Sequence, residues 1–198
     1  MLCILSLLSD SSEPLDINSR LFEQKIRFLH VFSFSLDCVS IGRNVKIIGE
    51  DLNLPIFRRR TGGGAVFHGR MKDLCFAFTF ESSKPLKSIF HNIGNMVGEF
   101  ILNYFKLPSV EIKENGDVIF NGIKISGISS ARSGKFFLFE GCILIFRDWK
   151  NLEIPHFLRA KFSSFCFNFW GQKMANLENF HKISFSLFSF LKQKILSS

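Results

Sequence analysis

The chain opens on an unbroken apolar run, Leu2 to Leu8, with the length of a buried strand, and then breaks into the polar, turn-rich stretch Ser9 to Pro14. Apolar residues next recur near helical spacing at Leu21, Phe22, Ile26 and Leu29. That spacing predicts a helix capped by Asp16 and running to about His30. Leu36 to Ile41 reads as a strand that stops at Gly42-Arg43-Asn44, and Pro55 opens a short strand that runs into Arg58, Arg59 and Arg60. After three glycines, Ala65 to Phe67 and Leu74 to Phe80 read as two strands with a polar turn between them.

The longest helical pattern covers Lys84 to Phe105, where Ile89, Phe90, Ile93, Met96, Val97, Phe100, Ile101 and Phe105 fall at i, i+3, i+4 intervals. Gly94 and Gly98 on this helix mark a close approach of another element. Strands at Asp117 to Phe120 and Ile123 to Ile128 are joined by Asn121-Gly122, a strong hairpin signal. Lys135 to Phe146 is one long strand or a strand pair. The pattern weakens past Asp148 and returns as a helix from Ala175 to Ile195. No repeat, linker or composition break interrupts residues 1–198, so the expectation is a single domain. Strands and helices mix without regular alternation, which predicts an α+β fold rather than a doubly wound sheet.

Composition narrows the picture. Hydrophobic residues make up 46% of the 198 and charged residues 21%, the balance of a globular chain. The formal charge of +8 points to an anionic partner. No long basic run or aromatic-basic repeat appears, which argues against dedicated nucleic-acid binding. No apolar stretch reaches the roughly 18 residues of a membrane span. The N-terminus lacks the basic flank of a secretory signal. Cys3, Cys38, Cys75, Cys142 and Cys166 are scattered, form no CxxC pair and sit among apolar neighbours, as free thiols in a reducing cytoplasmic compartment do. A structural zinc site is not expected.

Two segments carry candidate chemistry. In RRRTGGGAVFH, Arg58 to His68, consecutive glycines strip the side chains from a loop, so backbone N–H groups can converge on an anion or a carbonyl. The arginines ahead of it offer forked donors to phosphate or carboxylate. The loop is neither a GxGxxG nor a GxxxxGK pattern. In GDVIFNGIKISGISSAR, Gly116 to Arg132, closing the hairpin can bring Asp117 and Lys124 to one pocket. His68 is either a general base or a satisfied structural histidine; no GxSxG nucleophile pattern accompanies it.

Together the two segments resemble the catalytic domain of the lipoate–protein ligase family, within the wider biotin/lipoate ligase and octanoyltransferase fold. The first family pattern is a double arginine, a free position, Ser or Thr, GGGAV and an aromatic-His. It is matched by Arg58, Arg59, Thr61, Gly62, Gly63, Gly64, Ala65, Val66, Phe67 and His68. The second, an Asn-Asp pair, a hairpin and Lys-Ile-Ser-Gly, is matched by Asp117, Lys124, Ser126 and Gly127. Gly42 and Arg43 are a third, weaker match. The chain departs from the pattern at the segment after His68, where Asp73 is the nearest equivalent of the family's Asp. It also departs at Gly116, which stands where the family has Asn, and at Glu140-Gly141, where the family has His-Gly.

The resemblance implies a mixed or antiparallel sheet packed with helices, and an enzyme that joins lipoate or octanoate to a protein lysine in two steps. ATP and the acid give an acyl-adenylate, which the lysine amine then attacks. Carried over residue by residue, Lys124 would be catalytic. Arg59, Thr61, Gly62, Gly63, Gly64, Ala65, His68, Asp117, Ser126 and Gly127 would bind substrate or adenylate, with Asp117 also holding Mg²⁺. The implied partners are lipoyl carrier domains of 2-oxoacid dehydrogenase complexes or the H protein of glycine cleavage. The chain is too short for the accessory C-terminal domain of two-domain ligases, so a separate accessory subunit is a further implied partner. Two other readings stand beside this one. One is an octanoyl- or lipoyltransferase that needs no ATP and works through a cysteine thioester, although no cysteine lies between Cys75 and Cys142. The other is a family member that binds ligand or partner without turnover.

Overall fold

The computed structural model describes residues 1–46, 54–145 and 176–197. In chain order the elements are β1 (Leu2–Ser9), α1 (Glu13–Glu23), β2 (Phe28–Phe34), β3 (Cys38–Ile41), β4 (Ile56–Arg58), β5 (Ala65–His68) and β6 (Asp73–Glu81). They continue with α2 (Leu86–Phe105), β7 (Glu111–Ile112), β8 (Val118–Phe120), β9 (Ile123–Ser133), β10 (Phe136–Leu144) and α3 (Leu177–Leu196). A seven-stranded sheet runs β1-β2-β6-β10-β9-β8-β7, and a three-stranded sheet runs β4-β3-β5. The β1–β2 and β3–β4 pairs are parallel and the other pairs antiparallel, so the fold is α+β with mixed sheets.

Alternation along β6 and β10 divides the large sheet into two working faces. On one face Phe78, Phe80, Phe137 and Phe139 form a ring ladder, with Phe80 and Phe139 stacked at 5.6 Å and Phe78 and Phe139 at 6.1 Å. Phe90 of α2 meets Phe139 edge-on at 5.2 Å. Each such pair adds about 0.5–1.5 kcal/mol to the burial of its rings. The other face carries Cys75, Cys142 and Glu140, and it receives α1 and the glycine loop of the small sheet.

Several expectations need correction. The first helix is capped at Ser12, not Asp16, and ends at Glu23; Gln24 and a left-handed Lys25 (φ 56°) turn the chain into β2. Leu29 and His30, which the helical pattern was expected to include, belong instead to a strand, Phe28–Phe34, buried along its whole length and paired to β1 and β6. Cross-strand pairing overrides the apparent helical period there. The Ala65 and Leu74 strands lie in different sheets, and the two-residue strand β7 carried too few residues to show a pattern. Lys135 onward forms one long strand as far as it is described; Phe146 and Cys166 lie outside the described residues. Gly94 and Gly98 do mark a close approach, since a Cβ at either would lie under 3 Å from Ile112.

Candidate functional site

The loop between β4 and β5 is built by its second arginine. Arg59 is buried, and its Nη1 donates to Ser40 O (2.8 Å) and Ser40 Oγ (2.7 Å). Its Nη2 donates to the carbonyls of Gly62 and Gly64, both at 3.2 Å. All four terminal N–H groups therefore go to the protein, and two of them set the path of the glycine loop. Burial lowers the Arg59 pKa from its ordinary value, with Glu140 opposing that shift, but guanidinium remains charged. Arg58 donates to the carbonyls of Gly42, Arg43 and Val45, while Arg60 pairs with Glu23 at 3.5 Å.

Two glycines let the loop sit where it does. Gly63 has φ of 85°, a conformation that favours glycine, and a Cβ on Gly42 would stand 2.2 Å from Gly63 O. Thr61, fully buried, ties the loop to the large sheet: its hydroxyl donates to Glu140 Oε2 at 2.6 Å and accepts from Ser129 at 2.8 Å. Gly62 N–H donates to Ser130 O at 3.2 Å.

The facing wall comes from the β8–β9 hairpin. Asn121 (φ 49°) and Gly122 (φ 75°) make its turn. Val118 pairs with Ser126 and Ile119 with Lys124, leaving one extra residue on β9. Such a bulge re-aims side chains next to binding sites. Lys124 Nζ here lies 2.7 Å from Asp117 Oδ1, with the two side chains 19% and 14% exposed. Gly127 leaves the space that pair fills, since a Cβ there would fall 2.6 Å from Lys124 Cε and 3.1 Å from Asp117 Oδ1. Asn115 Nδ2 donates to the other Asp117 oxygen at 3.1 Å. A carboxamide thus reaches this aspartate although Gly116 stands directly before it.

Between these walls is a cavity of about 260 Å³. Arg59, Gly63, Gly64, Ala65, His68, Asp117, Lys124 and Gly127 line it, so most of the residues singled out in the sequence meet there. Thr61 and Gly62 stand behind the loop, and Ser126 is buried with a hydroxyl that has no hydrogen-bond partner among the described residues. Leu15, Phe32, Ile128 and Leu144 add apolar lining.

Sequence reasoning missed Ser40, Asn115, Ser129 and Glu140, which also line the cavity. Glu140 is buried and takes bonds from Asn18 Nδ2 (3.0 Å) and Thr61. Asn18 in turn joins His30 Nδ1 at 2.8 Å. His68 bonds on both sides: Nε2 lies 2.6 Å from Ser40 Oγ and Nδ1 2.5 Å from Asp73 Oδ2. Cys75 Sγ donates to the same Asp73 oxygen at 3.3 Å. Burial, and then the Asp73 charge, push the Cys75 thiol far up, and burial raises Cys38 as well. No local motif marks Ser40, Asn18 or Glu140, because the fold brings them to their partners across long stretches of sequence.

A catalytic-domain model described as lipoyl protein ligase A/B matches residues 11–194. Three solved structures share the fold. LipL1 of P. falciparum, in complex with lipoate, has a TM-score of 0.69 at 18% identity over 98% of this chain, which spans 63% of that protein's length. Lipoate-protein ligase A bound with ATP has a TM-score of 0.69 at 17% identity, over 96% of this chain and 85% of that one. The bi-partite lipoate protein ligase of Thermoplasma acidophilum, described with its E2 lipoyl domain, has a TM-score of 0.66 at 18% identity, over 96% and 84%. A search of the curated proteins finds no significant match. No helix among the described residues is long and apolar enough to cross a membrane. With the family model matched over nearly its whole length and the Arg-Gly loop and Lys124 hairpin facing one cavity, the chain belongs to the lipoyl protein ligase A/B catalytic domain family.

Proposed function

We propose that the protein is an ATP-dependent ligase that activates lipoate, or octanoate, as an acyl-adenylate and passes it to a lysine of a lipoyl carrier domain. The observation that carries the reading is the half-buried Lys124–Asp117 pair facing the glycine loop across one cavity. In this reading the apolar lining takes the acyl chain, and Lys124 lies beside the carboxylate and phosphate oxygens where negative charge builds. The glycine loop offers unshielded backbone N–H groups. Arg59 acts on the ligand through the loop path it fixes, since its own donors are engaged by the protein.

Magnesium is compatible with this donor set. Asp117 supplies one carboxylate, and magnesium is commonly held by one or two carboxylates together with phosphate oxygens. When bound, the ion would neutralise charge on the phosphates. The carrier assignment is supported by the T. acidophilum system, whose ligase is bi-partite and is described with an E2 lipoyl domain. A separate accessory subunit belongs to the same reading, as does the H protein of glycine cleavage as an alternative acceptor; the cytoplasm is the proposed compartment.

A thioester-forming transferase is the weaker reading, because Cys38, Cys75 and Cys142 are buried and the first two have thiols shifted away from the reactive thiolate. Incubation with lipoate, radiolabelled ATP and Mg²⁺ tests the proposal. Lipoyl-adenylate should form without an acceptor, and its absence, with the accessory subunit supplied, would remove the ligase reading.

A further inference from the structure

The cavity wall contains a serine, a histidine and an aspartate in hydrogen-bonded series, drawn from β3, β5 and β6. Ser40 Oγ lies 2.6 Å from His68 Nε2, and His68 Nδ1 lies 2.5 Å from Asp73 Oδ2. Asp73 is buried and also receives Cys75 Sγ–H and, at 3.3 Å, the Gly69 N–H. With those donors it stays an acceptor toward His68, so the proton rests on Nδ1 and Nε2 is left to accept from Ser40. This is the tautomer a general base needs. A nucleophile, a base within hydrogen-bond reach and a third group that orients the base are the marks of an activated serine, recognised by geometry rather than by sequence position.

Two further features suit the arrangement to acyl chemistry. Arg59 Nη1 donates to Ser40 Oγ at 2.7 Å, so the hydroxyl's own proton is left to point at His68 Nε2. Gly63 and Gly64 line the same cavity with no side chain to cover their backbone. The geometry points to Ser40 as an acyl-accepting nucleophile, with His68 as its base and Asp73 as the positioning residue, giving this cavity an ATP-independent acyl-transfer or hydrolysis activity toward activated esters and thioesters. The inference rests on the proposed acyl ligand of the cavity, though not on ATP.

The step balances without any redox partner. Ser40 Oγ bonds to the acyl carbon while its proton passes to His68 Nε2. The bond from the acyl carbon to the leaving oxygen or sulfur then breaks, and the leaving group departs as an alcohol or thiol with that proton. Water or an amine attacks the resulting ester, gives a proton to His68, and Ser40 Oγ leaves and recovers it. Ser40 itself has no solvent exposure, and its hydroxyl is covered by Arg59, so entry of an acyl group requires that guanidinium to yield. Cys75 is the competing nucleophile, but its proton is held by a carboxylate whose charge opposes thiolate formation.

The test uses the full chain and p-nitrophenyl octanoate without ATP. A burst of nitrophenolate matching the enzyme concentration is expected, with an octanoyl adduct mapped by peptide mass spectrometry to Ser40. His68→Gln should slow acylation about a hundredfold or more, and Ser40→Ala should remove the adduct. The wild-type adduct needs no variant to fold, so peptide mapping alone decides. An adduct on Cys75, or no adduct on folded protein, overturns the assignment. The lipoyl-adenylate assay on the same preparation separates the two proposals. Adenylate without adduct sinks only the serine route, and adduct without adenylate sinks only the ligase.

Discussion

Lys124 shows how a pairing can be legible in the sequence while the backbone irregularity beside it is not: hairpin closure was expected to bring it to Asp117, and it does. A lysine between isoleucines and flanked by glycines stands out in the sequence, whereas the bulge that absorbs one residue of β9 beside the pair has no local sequence signal. Lys124→Met keeps the aliphatic stem and removes the charge. Adenylate formation is expected to fall by about a hundredfold or more, the scale of a lost charge-stabilising donor, while the circular dichroism spectrum stays unchanged. Near-normal adenylate release from Lys124→Met would remove this residue from the proposed chemistry. His30 gives a second prediction, on stability. It is fully buried, its Nδ1 bonds Asn18, and its Nε2 has no hydrogen-bond partner among the described residues. Burial pushes its pKa down to about 4 from 6.5. The unfolded chain therefore binds the proton more tightly, and stability present above pH 6.5 is lost as pH falls toward 4, by at most about 3 kcal/mol. Urea midpoints at pH 7 and pH 4.5 check this: the drop should shrink in His30→Gln, and an equal drop in both proteins would assign it to other groups.

At the scale of elements, what could be read depended on how local the cause was. The Asn121-Gly122 hairpin and the longest helix were legible because a turn signal and a helical period lie within a few residues. The strand β2 was not, because the residues that make it a strand are its partners in β1 and β6. For the same reason Ser40 and Glu140 did not announce themselves as neighbours of the glycine loop, whereas Asp73, five residues past His68, did. Helix α2 shows how an element can set a site it does not line. A Cβ at Gly94 would meet Ile112 Cγ2 at 2.8 Å and Gly116 Cα and O at 2.9 Å, so the bare helix surface fixes how close the segment carrying Asn115 and Asp117 can come. Gly94→Val should push that segment outward. A stability loss of about 1–3 kcal/mol is expected, together with weaker ATP binding by calorimetry. Unchanged affinity in the destabilised variant would mean that the helix supports the fold without setting the height of Asp117.

Across the whole molecule, a charge of +8 bears on the proposed division between activation and transfer. In the proposed ligase, activation would take place in the cavity walled by the glycine loop and the Lys124 hairpin, where partly buried charges are little screened. Transfer would instead require a second macromolecule to approach a protein of net charge +8. Electrostatic attraction between exposed charges acts over a distance set by salt, about 10 Å at 0.1 M. For an acidic carrier domain the association rate should accordingly fall as salt rises, while adenylate formation changes much less. Rates of lipoyl-adenylate formation and of carrier acylation, measured on one preparation between low and moderate salt, separate the two. Mass spectrometry of the carrier adds the specificity arm: modification should fall on a single lysine, because the acyl group is released only where a carrier can present its amine to the cavity mouth. Equal salt dependence of both steps would place the charge effect inside the cavity. Acyl groups scattered over many carrier lysines would mean that adenylate escapes before the carrier docks, and the proposed coupling of activation to transfer would fail.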